Sequence, residues 1–449
     1  MLSKINQLYL RRLPFFLGIM AMTQFSSCEK DDAVDVKNSL QPQEQKEQPL
    51  NYRALFSSHH TIGLDEAKDV ALDASSMFDG GDNGLKSGKA RTIGEVRVLQ
   101  SDKNRLRSGS SKALDLPDTL AYLVNFEDNA GYAIVCADDR VGCPLLAYVP
   151  EGSSDDAESN PSLSAVLSNM KDCLLNSIED FEAKKDSMRK VAETQLEDDT
   201  VSLRSAGGTV TYYTFNTQMS VPQFVSTQWN QNPSPYYDYL PICSSTNNHM
   251  YAGCSVVAAA QVIAYYEYPT NMDGWAFNWS GMKVVQNAVD IRNPLDRNSV
   301  GALMYFIGQH ANANYTCTST YASVYTICNW LRSSYGYQTE SFAYSFDRIV
   351  PYLNLRNPLM MHGFDTRYNP AVGHAWVLDG YVTAAVVCYQ AIVNNGNITN
   401  LTYYTTFYNN SYLHVNWGWG GSSDGYFYSG LFNPGYVFSD SQTVFVARR

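Results

Sequence analysis

The chain changes character near residue 208, and that break limits what it can fold into more than any other feature. Residues 209–449 carry 9 basic and 11 acidic side chains, against 23 basic and 33 acidic in the first 208. Tyrosine runs the other way, with 27 of its 32 copies after position 208. A charged half and a tyrosine-rich, low-charge half predict two separately organised units, each long enough to bury a core. The formal net charge of −12 argues against partners that reward a basic surface, so neither nucleic acid nor an anionic membrane face is expected.

The N-terminus reads as an export address. Lys4, Arg11 and Arg12 precede the mostly apolar run Leu13–Met22, and small residues follow up to Ser26-Ser27-Cys28. A basic start, a short apolar core and a small-residue cut site describe a secretory signal, and the core is too short to span a bilayer. Small residues directly before a cysteine resemble a bacterial lipoprotein signal, with residues 1–27 removed and Cys28 lipidated. Residues 28–52, rich in Gln, Glu, Asp and Lys, are expected to be a disordered tether. The expected location is the bacterial cell envelope or surface, with membrane attachment through the lipid alone. Removing Cys28 leaves eight cysteines, which permits an all-disulfide framework. Their density is low for one, and no C-x-x-C pair suggests a metal or redox site. No metal or cofactor is expected.

Between these ends the patterns are mixed. A helix is predicted from Arg53 to about Ala74, a loop over Gly80–Gly88, and strands over Thr119–Phe126, Gly131–Ala137 and Pro144–Val149, the first two joined by the turn Asp128-Asn129-Ala130-Gly131. Leu163 to about Glu197 returns to helical spacing, and residues 200–209 read as an exposed linker. In the second half the apolar run Cys254–Tyr266, bounded by Gly253 and Pro269, predicts a well-defined helix. Further helices are predicted over Val300–Asn312 and Val324–Ser334. Strands are expected over Val372–Leu378, Val382–Ile392, Tyr403–Tyr408, Leu413–Trp417, Tyr426–Tyr428 and Thr443–Ala447. A helical lobe followed by an antiparallel sheet is an α+β arrangement.

Cys254 carries the most chemistry. At the first turn of its helix, free N–H groups and the positive end of the helix dipole favour a thiolate and can hold an oxyanion. The alternative is a buried cysteine that merely packs. A thiolate needs a base, and seven histidines are available. His59 and His60 are expected at the surface, His249 in a loop, His310 at a helix end and His362 in a strand. His374, beside Gly373, opens the strand His374-Ala375-Trp376-Val377-Leu378-Asp379-Gly380. His414 opens His414-Val415-Asn416-Trp417-Gly418-Trp419-Gly420-Gly421. The residues alone leave the base as His374 or His414.

Gly253-Cys254-Ser255, continuing through Ala258-Ala259-Ala260-Gln261-Val262-Ile263 to Tyr268-Pro269, resembles the nucleophile helix of the streptopain family of papain-like cysteine peptidases. The His374–Gly380 segment is similar to that family's base strand, and His414–Gly421 with Asp424-Gly425-Tyr426-Phe427 to its Asn-Trp segment. Trp229-Asn230-Gln231, with Pro235-Tyr236 and Pro241, resembles its oxyanion-glutamine stretch. The likeness covers about residues 209–449. Hairpin residues Ala121–Phe126 and Gly131–Val135, with Ala137–Arg140, resemble the family's inhibitory prosegment.

The resemblance implies a smaller α+β inhibitory prodomain with its linker over 53–208, and a papain-like catalytic domain over 209–449. It implies Cys254 as nucleophile, His374 as base, Gln231 as oxyanion donor, Asn416 as the residue that orients the imidazole and Trp417 as its shield. Gln228 is the rival to Gln231, and core packing is the alternative role for Trp417. Expected partners are protein or peptide substrates and the chain's own prodomain as inhibitor. About 41 residues separate His374 from Asn416, so an extra hairpin is expected over Thr383–Leu413. Ser255-Val256-Val257 is bulkier than the family's usual residues after the nucleophile. Two other functions fit the same residues: a surface adhesin on a peptidase scaffold, and an amidase or transpeptidase acting on cell-wall peptides.

Overall fold

Alternating apolar residues in the first half pair into a sheet whose two faces are both covered. The computed structural model describes residues 50–57, 59–79, 90–101, 115–155, 161–196, 208–231, 238–365, 372–394, 397–432 and 440–449. The expected signal with Cys28, nearly all of the tether, the Gly80–Gly88 loop, Leu203–Gly207 of the linker and Pro235-Tyr236 lie outside them. β1 (Ile93–Gln100), β2 (Thr119–Phe126), β3 (Tyr132–Cys136) and β4 (Leu145–Val149) are successive antiparallel neighbours. Along β3, Tyr132, Ile134 and Cys136 face one buried cluster while Ala133 and Val135 face another. This follows from the two-residue period of a strand. The first cluster is closed by the long helix Pro161–Leu196, through Val166, Met170, Leu174 and Ile178. The second is closed by helix α2 (Leu64–Asp79), which follows the short α1 (Tyr52–Phe56). The single helix expected over 53–74 is therefore two. His60, expected at the surface, lies in the break between them, half-buried with Nδ1 2.8 Å from Asp139 Oδ1.

With the long helix as α3, the second half continues with β5 (Gly208–Val221) and α4 (Cys254–Tyr266). Next come the hairpins β6–β7 (Asn271–Met272, Trp275–Ala276) and β8–β9 (Asn314–Tyr315, Thr320–Tyr321). The remaining helices are α5 (Trp279–Met282), α6 (Pro294–His310), α7 (Val324–Tyr335) and α8 (Phe346–Asn354). The other strands are β10 (Gln338–Ala343), β11 (Leu359–Asp365), β12 (Val372–Asn394), β13 (Asn397–Asn416), β14 (Gly425–Tyr428) and β15 (Asp440–Arg448). Helices α4, α6 and α7 share one core, Val256, Ala260, Leu303 and Ile327 among its members, with Met360, Ala375 and Val377 of the sheet. The expected extra hairpin is the far part of β12 and β13, each of which is a single long strand rather than two short ones.

All principal strands join one 11-stranded sheet in the order β1-β2-β3-β4-β14-β13-β12-β11-β15-β10, with β5 also on β12. The two halves meet where β4 pairs β14, Tyr148 opposite Tyr426 and Ala147 opposite Phe427. Gly425 is needed at this seam, because a Cβ there would sit 2.5 Å from the Tyr148 carbonyl oxygen. A second tie is polar: Arg53 of α1 donates to the Tyr213 hydroxyl of β5 at 2.7 Å. The architecture is α+β, a helical lobe on an antiparallel sheet lobe preceded by a smaller α+β domain. Among the described residues no helix is long and apolar enough to cross a membrane.

Candidate active site

Helix α4 begins at Cys254 because Gly253 supplies a backbone (φ 92°) that residues with a Cβ rarely adopt. A Cβ at Gly253 would also meet the Thr320 carbonyl oxygen of β9 at 2.9 Å. The helix runs almost entirely buried until Glu267 caps it in a left-handed conformation. The β9 hairpin is strapped to the segment before Cys254 by a Cys243–Cys317 disulfide and by Thr320 Oγ1 donating to the Tyr251 carbonyl at 2.6 Å. The other described cysteines are free thiols. Burial pushes Cys173 and Cys328 up to about 12 and Cys388 to about 11, which keeps them protonated and inert. Among these free thiols Cys254 alone is half-buried rather than buried. Packing raises its pKa, opposed by backbone hydrogen bonds from Ala375, Ser255 and its own residue.

Ala375 adjoins His374, so β12 brings the base candidate to the nucleophile helix. The His374 ring is enclosed by three indoles, with centroids at 6.0 Å (Trp376), 5.9 Å (Trp417) and 5.0 Å (Trp419). Its Nε2 lies 3.1 Å from the Trp417 carbonyl oxygen. A carbonyl only accepts, so Nε2 carries the hydrogen and the neutral ring keeps its lone pair at Nδ1. Burial lowers the His374 pKa to about 4, with the Trp417 carbonyl opposing that shift. Burial thus disfavours the charged form of both the thiol and the imidazole.

Asn416, expected to orient the imidazole, has its amide bonded to Thr227, Gln261 and Gly418. Nδ2 donates to the Thr227 carbonyl (2.8 Å) and to Gln261 Oε1 (3.2 Å). Oδ1 accepts from Gln261 Nε2 (3.0 Å) and from the Gly418 N–H (3.1 Å). That last N–H belongs to the peptide whose carbonyl meets His374, so Asn416 reaches the imidazole through the Trp417–Gly418 peptide. Trp417 contributes its backbone as well as its ring. Its N–H donates to Asp424 Oδ1 at 2.8 Å. Burial raises Asp424 to about 7, opposed by that bond and by nearby His414, and reinforced by Asp379.

His414 occupies a different place. The register of β12 on β13 sets it opposite Gly380, six residues along the strand from His374, which is roughly 20 Å at about 3.3 Å per residue. A register shift between Leu378 and Gly380 leaves Asp379 out of the ladder. Its carboxylate faces His414 Nδ1 at 2.5 Å and accepts the Phe224 and Val225 N–H groups at 3.1 and 2.8 Å.

Gln231 is half-buried, and its carbonyl accepts the Ala252 N–H at 3.0 Å, two residues before Cys254. The Gln228 side chain packs on Gly421, where a Cβ would meet its Oε1 at 2.6 Å. Gln261, Asp379 and Asp424 went unrecognised as site residues in the sequence. Gln261 sits within an apolar helix, and its signal, a lone amide on a buried face, appears only once its partners are known.

Two family models match the sequence in the order these segments occur. The Peptidase C10 family matches residues 229–427 and the Spi protease inhibitor matches residues 85–173. A match to an inhibitor model thus precedes a match to a peptidase model in one chain. The thiol protease/hemagglutinin PrtT of Porphyromonas gingivalis is 21% identical over 351 residues, covering 72% of this chain and 35% of its own. The chain therefore spans about a third of that relative's length. A prointerpain A fragment of Prevotella intermedia aligns with a TM-score of 0.47 at 20% identity, covering 74% of this chain and 96% of that one. Active interpain A of the same organism aligns with a TM-score of 0.36 at 23% identity, over 51% and 94%. Among the described residues no cluster of three or more His, Cys, Asp or Glu is gathered to hold a metal.

Proposed function

We propose that this chain is the zymogen of a cysteine endopeptidase, with residues 53–208 as inhibitory prodomain and linker and 209–449 as catalytic domain. The observation that carries the reading is that Cys254 packs on the buried cluster containing Ala375, next to His374, whose Nε2 lies 3.1 Å from the Trp417 carbonyl oxygen. Pinning Nε2 leaves Nδ1 to take the thiol proton. The Cys254 thiolate attacks the scissile carbonyl, and the imidazolium then protonates the leaving amine. The Cys254 N–H and the Gln231 amide hold the tetrahedral oxyanion. Asn416 and Trp417 keep the imidazole in its tautomer through the shared peptide.

Latency follows from the electrostatics of the closed form. A raised thiol and a lowered imidazole disfavour the ion pair, and the β4–β14 seam lies directly after the Trp417–Asp424 turn. Lipidation at Cys28 and a place on the bacterial surface belong to the same proposal, supported by the Leu13–Cys28 pattern. The test is to purify wild type and Cys254→Ala and follow mass and peptide hydrolysis over time. Wild type is expected to shorten from its N-terminal side and gain activity, while Cys254→Ala stays inactive whether or not it is trimmed. Hydrolysis by Cys254→Ala near the wild-type rate would overturn the assignment. Labelled palmitate on wild type but not on Cys28→Ala would support the anchor.

A further inference from the structure

We propose that Gln261 is a positioning residue that locks the oxyanion arm, the nucleophile helix and the base arm into one register; this rests on the assignment of Cys254 and His374 above. Gln261 lies seven residues after Cys254 in α4. At 3.6 residues per turn that is two turns along nearly the same helix face. Its side chain is fully buried, and its three hydrogen bonds lead away from its own helix. Oε1 accepts the Trp229 N–H at 3.1 Å, two residues before Gln231. Oε1 also accepts Asn416 Nδ2 at 3.2 Å, and Nε2 donates to Asn416 Oδ1 at 3.0 Å.

Asn416 Oδ1 passes the constraint on. It accepts the Gly418 N–H, and the carbonyl of that same peptide accepts from His374. Hydrogen bonds in series polarise one another, so the chain strengthens the carbonyl that fixes the base tautomer. The helix surroundings are Val257, Val262 and Ile263, where an unpaired amide would be costly and an aliphatic residue would pack without difficulty. The Gln261 amide both accepts from the Trp229 backbone and donates to Asn416 at any pH, so one side chain serves the two arms that must close on one substrate carbonyl.

The experiment uses the full chain, with wild type, Cys254→Ala, Gln261→Met and Gln261→Glu each incubated until processing stops. Three readouts are taken: kcat and KM for a peptide, the pH profile of Cys254 alkylation by iodoacetamide, and affinity for a peptide aldehyde whose hemithioacetal carries the oxyanion. Gln261→Met is expected to lose roughly ten- to a hundredfold in kcat, the range for partners one step removed from reacting groups, with KM little changed. Aldehyde affinity should fall in parallel, and the alkylation profile should shift. Gln261→Glu keeps the shape, and its protonated carboxyl can still donate to Asn416. It should therefore approach wild type at low pH and lose activity as the carboxylate forms.

A Gln261→Met chain that melts earlier yet keeps wild-type kcat, aldehyde affinity and alkylation profile overturns the proposal. If Gln261→Met does not fold, a Gln261→Glu chain with the wild-type pH profile overturns it equally. Activity surviving in Cys254→Ala would instead overturn the nucleophile assignment, so the two failures are separable.

Discussion

Replacing His414 by alanine separates a structural histidine from a catalytic one. Asp379 is fully buried, and one of its oxygens is held by His414 while the other accepts two backbone N–H groups. Removing His414 leaves a buried carboxylate oxygen facing a void, and breaking a buried pair from one side costs about 3–5 kcal/mol. At about 2–4 °C per kcal/mol for medium-sized domains, and less for larger ones, the melting temperature should drop by roughly 10 °C. His414→Asn returns an N–H donor near the Nδ1 position and should recover about half of that loss. Activity per folded molecule, measured well below the melt, should change only about threefold, because roughly 20 Å of strand separates His414 from His374. A small effect is expected, since Asp379 also anchors Phe224 and Val225, which lead into the Gln231 stretch. The assay pairs thermal melts with active-site titration by an epoxide thiol reagent. A His414→Ala chain with unchanged stability and turnover reduced more than about a hundredfold would make His414 the base and refute the reasoning.

Gly425→Ala introduces a Cβ against the Tyr148 carbonyl of β4, in the proposed prodomain. It should speed activation of the full chain while leaving kcat of the processed form near wild type; equal activation time courses would show that the seam does not control latency. Asp424 protonates near pH 7 when folded, against an ordinary value near 4, so the folded chain binds the extra proton and loses stability as pH rises from about 4 to about 7. Asp424→Asn, whose Oδ1 still accepts the Trp417 N–H, should raise stability at pH 8 by up to about 4 kcal/mol and leave it unchanged near pH 4; denaturant melts at both pH values check this. His374 acts with the opposite sign. Its folded value of about 4 lies below the ordinary one, so stability is lost as pH falls from about 6.5 to about 4, and His374→Gln should flatten that slope.

Local pattern determined a good deal of this protein. The apolar run behind Gly253 was enough to define α4 at its observed ends, and the alternation around Asp128–Gly131 was enough for the β2–β3 hairpin. The order of motifs pointed to the family whose model matches residues 229–427. Other elements were not expected. β5 was not among the expected strands, although Tyr213, Phe215, Met219 and Val221 alternate there with polar residues, and it pairs with β12 along its length; α8 contains Pro351, which reads as a break. Composition and spacing alone left His374 or His414 as the base, because each opens a similar strand beside glycine and tryptophan, and only the family resemblance preferred His374. Strand register then gives the two rings different partners, the Trp417 carbonyl for His374 and Asp379 for His414. Gln261 is the clearest case: within its own helix it is one polar residue among apolar ones, with no periodicity to mark it. Its role exists only because the fold brings the Trp229 N–H and the Asn416 amide to it from 32 and 155 residues away. A hydrogen bond needs its partner within about 3 Å, and closing loops of that length is a property of the whole fold, not of any local stretch of sequence.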